Sequence, residues 1–165
     1  KRATATDYPS WGYMLRNPKR TTMTENWLGK ASLCHVNLGA AIDEWFYWGL
    51  AGIQPDENGP GYEKIVFKPY LPEDLPWAQA SIVTPRGKIT SAWKHDGTAA
   101  TLTVTVPANC SATVYIPSKE SAKIRESGIP ADDAQGVNLL RSEETVSVYA
   151  VESGTYRFEF DFQLN

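Results

Sequence analysis

The sequence predicts an α+β fold in which a helical segment is followed by an antiparallel β-sandwich. Three observations predict it: apolar residues recur with a helical period through 38–53, turn-forming residues fill 54–61, and apolar and polar residues alternate in runs through 62–165. The chain has 165 residues, 42% of them hydrophobic and 21% charged, which excludes disordered and collagen-like classes. We therefore expect a helical part at 1–53, a linker at 54–61 and a sandwich domain at 62–165.

The helical part centres on an amphipathic helix over 38–53, whose apolar residues recur at three- and four-residue steps. These residues are Leu38, Ile42, Trp45, Phe46, Gly49 and Ile53. Aromatic residues cover most of the circumference, so the helix requires neighbours on several sides. Upstream, the chain offers one short helix that begins at Pro9 or Ser10 and is ended by the Asn17-Pro18 step. One short helix is too small to cover the apolar surface of the longer one, which indicates that the segment is the final part of a larger helical domain. The alternative is that the longer helix covers a face of the following sheet.

Seven strand candidates, rich in β-branched and aromatic residues, follow the turn-forming stretch. They are 64–69, 77–84, 88–94, 101–106, 113–116, 145–150 and 156–162. Turn residues recur at roughly the 8 to 12 residue spacing of an antiparallel sandwich. Asp96-Gly97 is the strongest hairpin signal. The polar stretch 118–137 predicts a long surface loop, with or without one added short strand.

Charge and composition limit the partners. Residues 1–30 contain six Lys or Arg against Asp7 and Glu25, a balance of +4, which leaves −7 for the rest of a chain whose net charge is −3. The basic residues lack zinc-finger or basic-helix context, so we expect no nucleic-acid partner. No apolar run approaches the roughly 20 residues of a membrane span, so we expect no membrane partner. The chain starts without Met and without an apolar leader, which indicates a piece of a longer protein.

Several blocks of residues, in one order and spacing, carry a resemblance to a known family. Before the linker they are Tyr8-Pro9-Ser10-Trp11-Gly12-Tyr13-Met14, Thr21-Thr22-Met23-Thr24-Glu25-Asn26-Trp27, Ser32-Leu33-Cys34-His35 with Gly39, Glu44-Trp45, and Ala51-Gly52-Ile53. After it they are Ile65-Val66-Phe67-Lys68-Pro69, Ala78-Gln79-Ala80-Ser81, Thr84-Pro85-Arg86-Gly87, Val106-Pro107-Ala108-Asn109 and Ala112-Thr113-Val114-Tyr115-Ile116-Pro117. Together they resemble the closing part of the bacterial α-L-rhamnosidases of glycoside hydrolase family 78.

This resemblance implies that residues up to about Ile53 are the last helices of an (α/α)6 catalytic barrel, and that the rest is an accessory β-sandwich. The parent protein would be an inverting enzyme that hydrolyses terminal α-L-rhamnosyl residues from glycosides. Its partners would be a rhamnose-containing glycoside or polysaccharide and the upstream catalytic barrel of the same parent chain.

The resemblance places the general base at Glu25, in a block similar to the family's Thr-Thr-x-Trp-Glu-x-Trp, with Thr24 where Trp is usual. An inverting glycosidase holds its two carboxyl groups roughly 6.5 to 9.5 Å apart, which leaves room for the attacking water. The resemblance places the general acid upstream, so we expect these 165 residues alone to be inactive. Taken without the resemblance, Glu25 is better explained as a solvated loop carboxylate.

Three further residues are expected at the substrate. The resemblance places His35 in the pocket, against the sugar ring, with Cys34 in place of the usual Asn; a capping or packing histidine is the alternative. Trp11 and Trp27 are candidate sugar-stacking walls, since the C–H faces of pyranose rings pack well on aromatic planes. Core packing is the alternative for both.

We expect no metal and no cofactor. His35 and His95 lie far apart in the sequence, no carboxylate cluster has ligand spacing around them, and no nucleotide-binding fingerprint is present. Two other classes stay open: a non-catalytic carbohydrate-binding β-sandwich with a helical leader, and a purely structural module. A binding module would place exposed Trp or Tyr on a sandwich face, whereas most of the candidate residues here precede the linker.

Overall fold

The computed structural model describes residues 5–19, 24–28, 42–118 and 123–162. The chain forms two compact units, Lys1–Trp45 (the first unit) and Phe46–Asn165 (the second unit). Among the described residues, no helix has the length and apolar character needed to span a bilayer.

Helix α1 (Trp11–Leu15) lies in the first unit. Ser10 precedes it in an extended conformation, and its Oγ accepts a hydrogen bond from the Tyr13 N–H at 3.1 Å. This is an N-cap, which satisfies one of the backbone donors left free at the start of a helix. Met14 is the buried residue of the helix. A short helix beginning after Ser10, one of the two predicted starts, is confirmed.

The aromatic helix ends earlier than predicted. Residues 42–45 are α-helical and Phe46–Leu50 form a π-helical turn, closed by a hydrogen bond from the Ala51 N–H to the Phe46 carbonyl at 3.0 Å. Residues 38–41 lie outside the described ranges. Gly52 then takes the left-handed conformation (φ +73°), and a Cβ at this position would collide with the backbone of Lys68 and Pro69. Ile53, predicted to close the helix, instead begins a strand.

Eleven strands in the described part of the second unit form two sheets. In chain order they are β1 (Ile53–Pro55), β2 (Lys64–Phe67), β3 (Trp77–Thr84), β4 (Gly87–His95), β5 (Ala99–Val106), β6 (Ser111–Ile116), β7 (Arg125–Glu126), β8 (Ile129–Pro130), β9 (Val137–Ser142), β10 (Ser147–Val151) and β11 (Gly154–Asp161). Sheet 1 has the order β1-β2-β6-β10-β9, and sheet 2 has the order β3-β4-β5-β11-β7-β8. Neighbouring strands are antiparallel except β2 and β6, which are parallel. The predicted, mostly antiparallel β-sheet part of the fold is confirmed.

The inward faces of the two sheets make one hydrophobic core. Its fully buried side chains include Ile53, Ile65, Phe67, Ile89, Leu102, Val104, Val114, Ile116, Tyr149 and Phe158. Two polar groups of β4 join this core to the end of the π-helical turn: Ser91 Oγ donates to the Ala51 carbonyl at 2.6 Å, and Trp93 Nε1 donates to the Leu50 carbonyl at 2.7 Å. The two bonds satisfy carbonyls that the end of a helix leaves without partners.

The β4–β5 hairpin turns at Asp96-Gly97, as predicted. Asp96 Oδ1 accepts hydrogen bonds from the Ala99 N–H, the Thr98 N–H and the Thr98 hydroxyl, at 2.8 to 2.9 Å. These bonds stabilise the ionised carboxylate and lower the pKa of Asp96 to about 2, the Ala99 N–H making the largest contribution.

Each of the seven candidate strands overlaps an observed strand, but four observed strands were not predicted. β1 occupies residues assigned to the helix and the linker. β7 and β8 form a small hairpin inside the predicted loop, where one added strand was considered, and β9 begins at its end.

Candidate functional site

The described segment that carries the predicted general base, 24–28, begins with a buried residue and is otherwise exposed or half-buried. Thr24 is buried, and its Oγ1 donates to the Asn26 carbonyl at 2.8 Å. Glu25 is exposed, so its carboxylate is open to solvent. Thr24 therefore anchors the backbone on one side, while Glu25 is accessible to water or to a ligand.

Trp11 and Trp27, predicted as sugar-stacking walls, lie against each other in the first unit. Their ring centroids are 5.0 Å apart and the ring planes meet at 69°, an edge-to-face contact. Contacts of this kind contribute about 0.5 to 1.5 kcal/mol beyond area burial. The contact joins the start of α1 to the segment that carries Glu25, because Trp27 is only two residues further along the chain. Both rings are half-buried, so each packs and still has exposed surface.

Of the four predicted site residues, the structure brings Trp11 and Trp27 into contact, and Glu25 lies two residues before Trp27 in the chain. His35 lies outside the described residues, as do Thr21 and Thr22 of the Glu25 block. The roles of Glu25, His35, Trp11 and Trp27 stay predictions. Within the described ranges there is no group of three or more His, Cys, Asp or Glu side chains placed to hold a metal ion.

A second candidate surface, which the sequence analysis missed, lies on the outward face of sheet 2. Trp77, the first residue of β3, is 63% exposed. It borders a groove of about 370 Å³ together with Gln79, Lys94, Thr101, Thr103 and Arg157. In the sequence, the alternation of β3 places Trp77 and Gln79 on one face. The pattern alone does not show that this face points outward.

A larger depression, of about 570 Å³, adjoins this groove and shares Lys94 and Thr101 with it. Its other charged residues include Asp96, Lys123, Arg125, Glu159 and Asp161. Lys123 Nζ lies 3.7 Å from Asp161 Oδ2, and Arg157 Nη2 lies 2.9 Å from Glu159 Oε1. All four of these side chains are at least one-third exposed, so the two ion pairs add little to stability.

The π-helical turn exposes large aromatic side chains. Tyr47 is 38% exposed and Trp48 is 43% exposed. Exposed aromatic side chains of this size are candidates for a contact surface.

One buried ionisable group belongs to the core and not to either surface. Burial raises the pKa of the Tyr149 hydroxyl to about 12, and the nearby charge of Asp132 adds to the shift. Tyr149 packs on Phe158 with ring centroids 5.8 Å apart, so it is a packing residue of the sandwich.

Two family models match the chain, one after the other. Residues 1–50 match the bacterial α-L-rhamnosidase 6 hairpin glycosidase domain, and residues 52–129 match the bacterial α-L-rhamnosidase C-terminal domain. The matches meet at residue 51, between the π-helical turn and β1.

Curated relatives agree with these matches. An α-L-rhamnosidase of Formosa agariphila is 31% identical over 168 residues, which is 95% of this chain and 18% of the relative. An α-L-rhamnosidase of Alteromonas sp. (strain LOR) is 36% identical over 125 residues, 69% of this chain and 13% of the relative.

Two solved structures have the same fold over nearly the whole chain. Streptomyces avermitilis α-L-rhamnosidase, complexed with L-rhamnose, superimposes with a TM-score of 0.79 at 27% identity over 96% of this chain and 15% of its own. The α-L-rhamnosidase from Dictyoglumus thermophilum gives a TM-score of 0.80 at 28% identity over 97% of this chain and 18% of its own. The chain therefore spans less than one-fifth of the length of each of these four relatives.

Proposed function

The chain belongs to the bacterial α-L-rhamnosidase family, and we propose that it is the C-terminal part of an inverting α-L-rhamnosidase. That enzyme hydrolyses terminal α-L-rhamnosyl residues from glycosides or polysaccharides. The observation that carries the proposal is the order of the two family matches, which change from the glycosidase domain to the C-terminal domain where the fold changes from helix to sheet. Residues up to Leu50 are then the last helices of the (α/α)6 barrel, and the β-sandwich domain begins with β1.

In this proposal Glu25 is the general base. It removes a proton from a water molecule as that water attacks the anomeric carbon from the β face. A general acid on the upstream barrel protonates the departing glycosidic oxygen, and the product is β-L-rhamnose. The exposure of Glu25 supports the role, because a base must reach a water at the substrate.

Trp11 and Trp27 hold this segment in place and offer an aromatic surface to the sugar. Their edge-to-face contact supports the proposal, since it ties α1 to the segment of the base. His35 is proposed to contact the sugar ring from the following segment.

The upstream barrel of the parent chain is the proposed partner of the aromatic turn. Tyr47 and Trp48 are exposed in these 165 residues, and packing against earlier barrel helices would remove them from water. The same division explains why the 165 residues alone are expected to be inactive: without the upstream acid, the departing oxygen is not protonated.

The test is the stereochemistry of the first product formed by the full-length parent enzyme. With 4-nitrophenyl α-L-rhamnopyranoside, ¹H NMR during the first minutes should show β-L-rhamnose before the α anomer, which forms later by mutarotation. Initial release of α-L-rhamnose contradicts inversion, and no release of rhamnose from any α-L-rhamnoside contradicts the activity. The 165-residue chain, assayed beside the parent, should release no 4-nitrophenol above an unrelated protein.

A further inference from the structure

The outward face of sheet 2 is organised in rows that cross four strands. The strand register places Trp77 (β3) opposite Lys94 (β4), Lys94 opposite Thr101 (β5), and Thr101 opposite Glu159 (β11). The next row on the same face runs through Gln79, Ala92, Thr103 and Arg157. Side chains two residues apart on a strand point to the same face, so these two rows lie side by side.

The groove of about 370 Å³ lies where side chains of these rows are small. Ala92 and Thr103 occupy its centre, and Trp77 and Arg157 stand at opposite ends on β3 and β11. Three strand spacings separate β3 from β11, a distance of about 14 Å at the usual spacing of about 4.8 Å. The adjoining depression extends the groove beyond Lys94 and Thr101. The surface is therefore long enough for more than one pyranose ring.

The groove offers the chemistry that a sugar requires. Trp77 presents an aromatic plane that is 63% exposed, against which the C–H face of a pyranose packs. Gln79, Thr101 and Thr103 line the same groove and supply amide and hydroxyl groups that donate to and accept from sugar hydroxyls. An exposed apolar side chain surrounded by hydrogen-bonding groups is the arrangement of a ligand surface.

The charge of the groove selects among sugars. Among the described residues that line it, the ionisable ones are Lys94 and Arg157, both cationic, whereas the carboxylates of Asp96, Glu159 and Asp161 line the adjoining depression. Arg157 is paired with Glu159 at 2.9 Å, whereas Lys94 makes no ion pair with any residue that the structure describes. Lys94 lies directly across the strand pair from Trp77, so a ring on the indole brings its substituents toward an available ammonium group.

We infer that this face binds an acidic glycan, with a pyranose ring on Trp77 and a uronate carboxylate at Lys94. The site lies wholly in the second unit and does not depend on the proposed hydrolysis. Exposed aromatic residues on a sandwich face were the feature expected of a carbohydrate-binding module. The chain therefore has a binding surface of that class in addition to the segment of the proposed base.

Affinity electrophoresis of the 165-residue chain in gels containing polygalacturonate tests this inference. Wild-type protein should be retarded in proportion to the polymer concentration. Trp77→Ala should raise the apparent Kd at least tenfold, while Trp77→Phe, which keeps an aromatic ring, should retain most of the binding. Tyr70→Ala is the matched control, because Tyr70 is an aromatic residue of the second unit that is 60% exposed and does not line the groove.

A comparison of two polymers tests whether the ligand must be acidic. Carboxyl-reduced polygalacturonate has the same backbone without the acids, and it should bind at least fivefold more weakly; Lys94→Met should weaken binding to the acidic polymer alone. Equal retardation by the two polymers overturns the acidic ligand. Retention of wild-type affinity by Trp77→Ala, or an equal loss in Tyr70→Ala, overturns the site. Since Trp77 is exposed, circular dichroism and the melting temperature should be unchanged in the variant, which separates lost binding from lost folding.

Discussion

The first and second units differ in how much of their apolar surface they bury. In the second unit the inward residues of both sheets are removed from water, and Ile53, Ile65 and Leu102 have no exposed surface. In the described part of the first unit, α1 buries Met14 but leaves Leu15 66% exposed, and Tyr8 is 55% exposed. The sandwich is therefore stabilised by a core of its own, whereas in the described part of the first unit Met14 is the one buried apolar residue.

The largest effect should come from the sandwich core. Leu102→Ala in β5 removes a side chain with no exposed surface and leaves a cavity, so we expect a loss of about 3 kcal/mol in the free energy of unfolding. Leu15→Ala is the matched truncation in α1 and should change it by no more than about 0.5 kcal/mol. Urea denaturation followed by circular dichroism measures both. Equal losses would contradict the difference between the two units.

The next effect concerns the glycine between the helical turn and β1. Gly52→Ala forces a side chain into the backbone of Lys68 and Pro69 at a positive φ, so it should destabilise the chain by about 2 kcal/mol or more. Gly61→Ala is the control, because Gly61 also has a positive φ (+66°) but open space around its Cβ position. Conformational strain alone should cost about 1 kcal/mol there.

The two glycine variants therefore separate crowding from backbone strain. Thermal unfolding of both, compared with the wild-type chain, gives the difference. If the two variants lose the same stability, the close approach of Gly52 to the Lys68-Pro69 backbone does not restrict that position.

The smallest effect is the pH dependence of the β4–β5 hairpin. The folded chain keeps Asp96 ionised down to its pKa of about 2, whereas the unfolded chain takes up the proton near the ordinary value of 3.8. A lowered pKa in the folded state stabilises the fold above about pH 4, and this contribution disappears as the pH falls toward 2. Asp96→Asn removes the titrating group and keeps an oxygen acceptor, so it should flatten this part of the profile. Urea unfolding between pH 4.5 and 2.5 is the measurement, and identical slopes would contradict the assignment.

The sequence predicts the regularly alternating strands of the sandwich better than the short or irregular ones. β5 and β11 alternate regularly, because one face of each packs in the core and the other meets water. β9 is an edge strand in which only Val137 is buried, so it has no alternation to detect. β1 has three residues, and Ile53 fits the helical period of the residues before it, so the local pattern favours the wrong element.

The candidate sites show a similar limit. The resemblance predicts Glu25 as the base, and the chemistry of aromatic rings predicts Trp11 and Trp27 as sugar-stacking walls. The contact between the two indoles joins residues sixteen positions apart, and no local pattern predicts it. The Trp77 face was missed for a different reason. β3 has apolar residues on both faces: Ala78, Ala80 and Ile82 pack on the core, whereas Trp77 and Val83 are exposed. Alternation shows which residues share a face, but it does not show which face is buried. Because Trp77 and Val83 are large and apolar, the pattern favours burial of their face, which is the exposed one.

Glu25→Gln in the full-length parent enzyme tests whether Glu25 activates the water that attacks the rhamnoside. Loss of the base should lower kcat for 4-nitrophenyl α-L-rhamnopyranoside by about 100- to 10,000-fold. Azide, a nucleophile that needs no deprotonation, should restore turnover in this variant and yield β-L-rhamnosyl azide. Glu57→Gln, at an exposed carboxylate of the second unit, should keep wild-type turnover without azide. Turnover by Glu25→Gln within threefold of wild type would contradict the claim, and so would a large loss that azide does not restore.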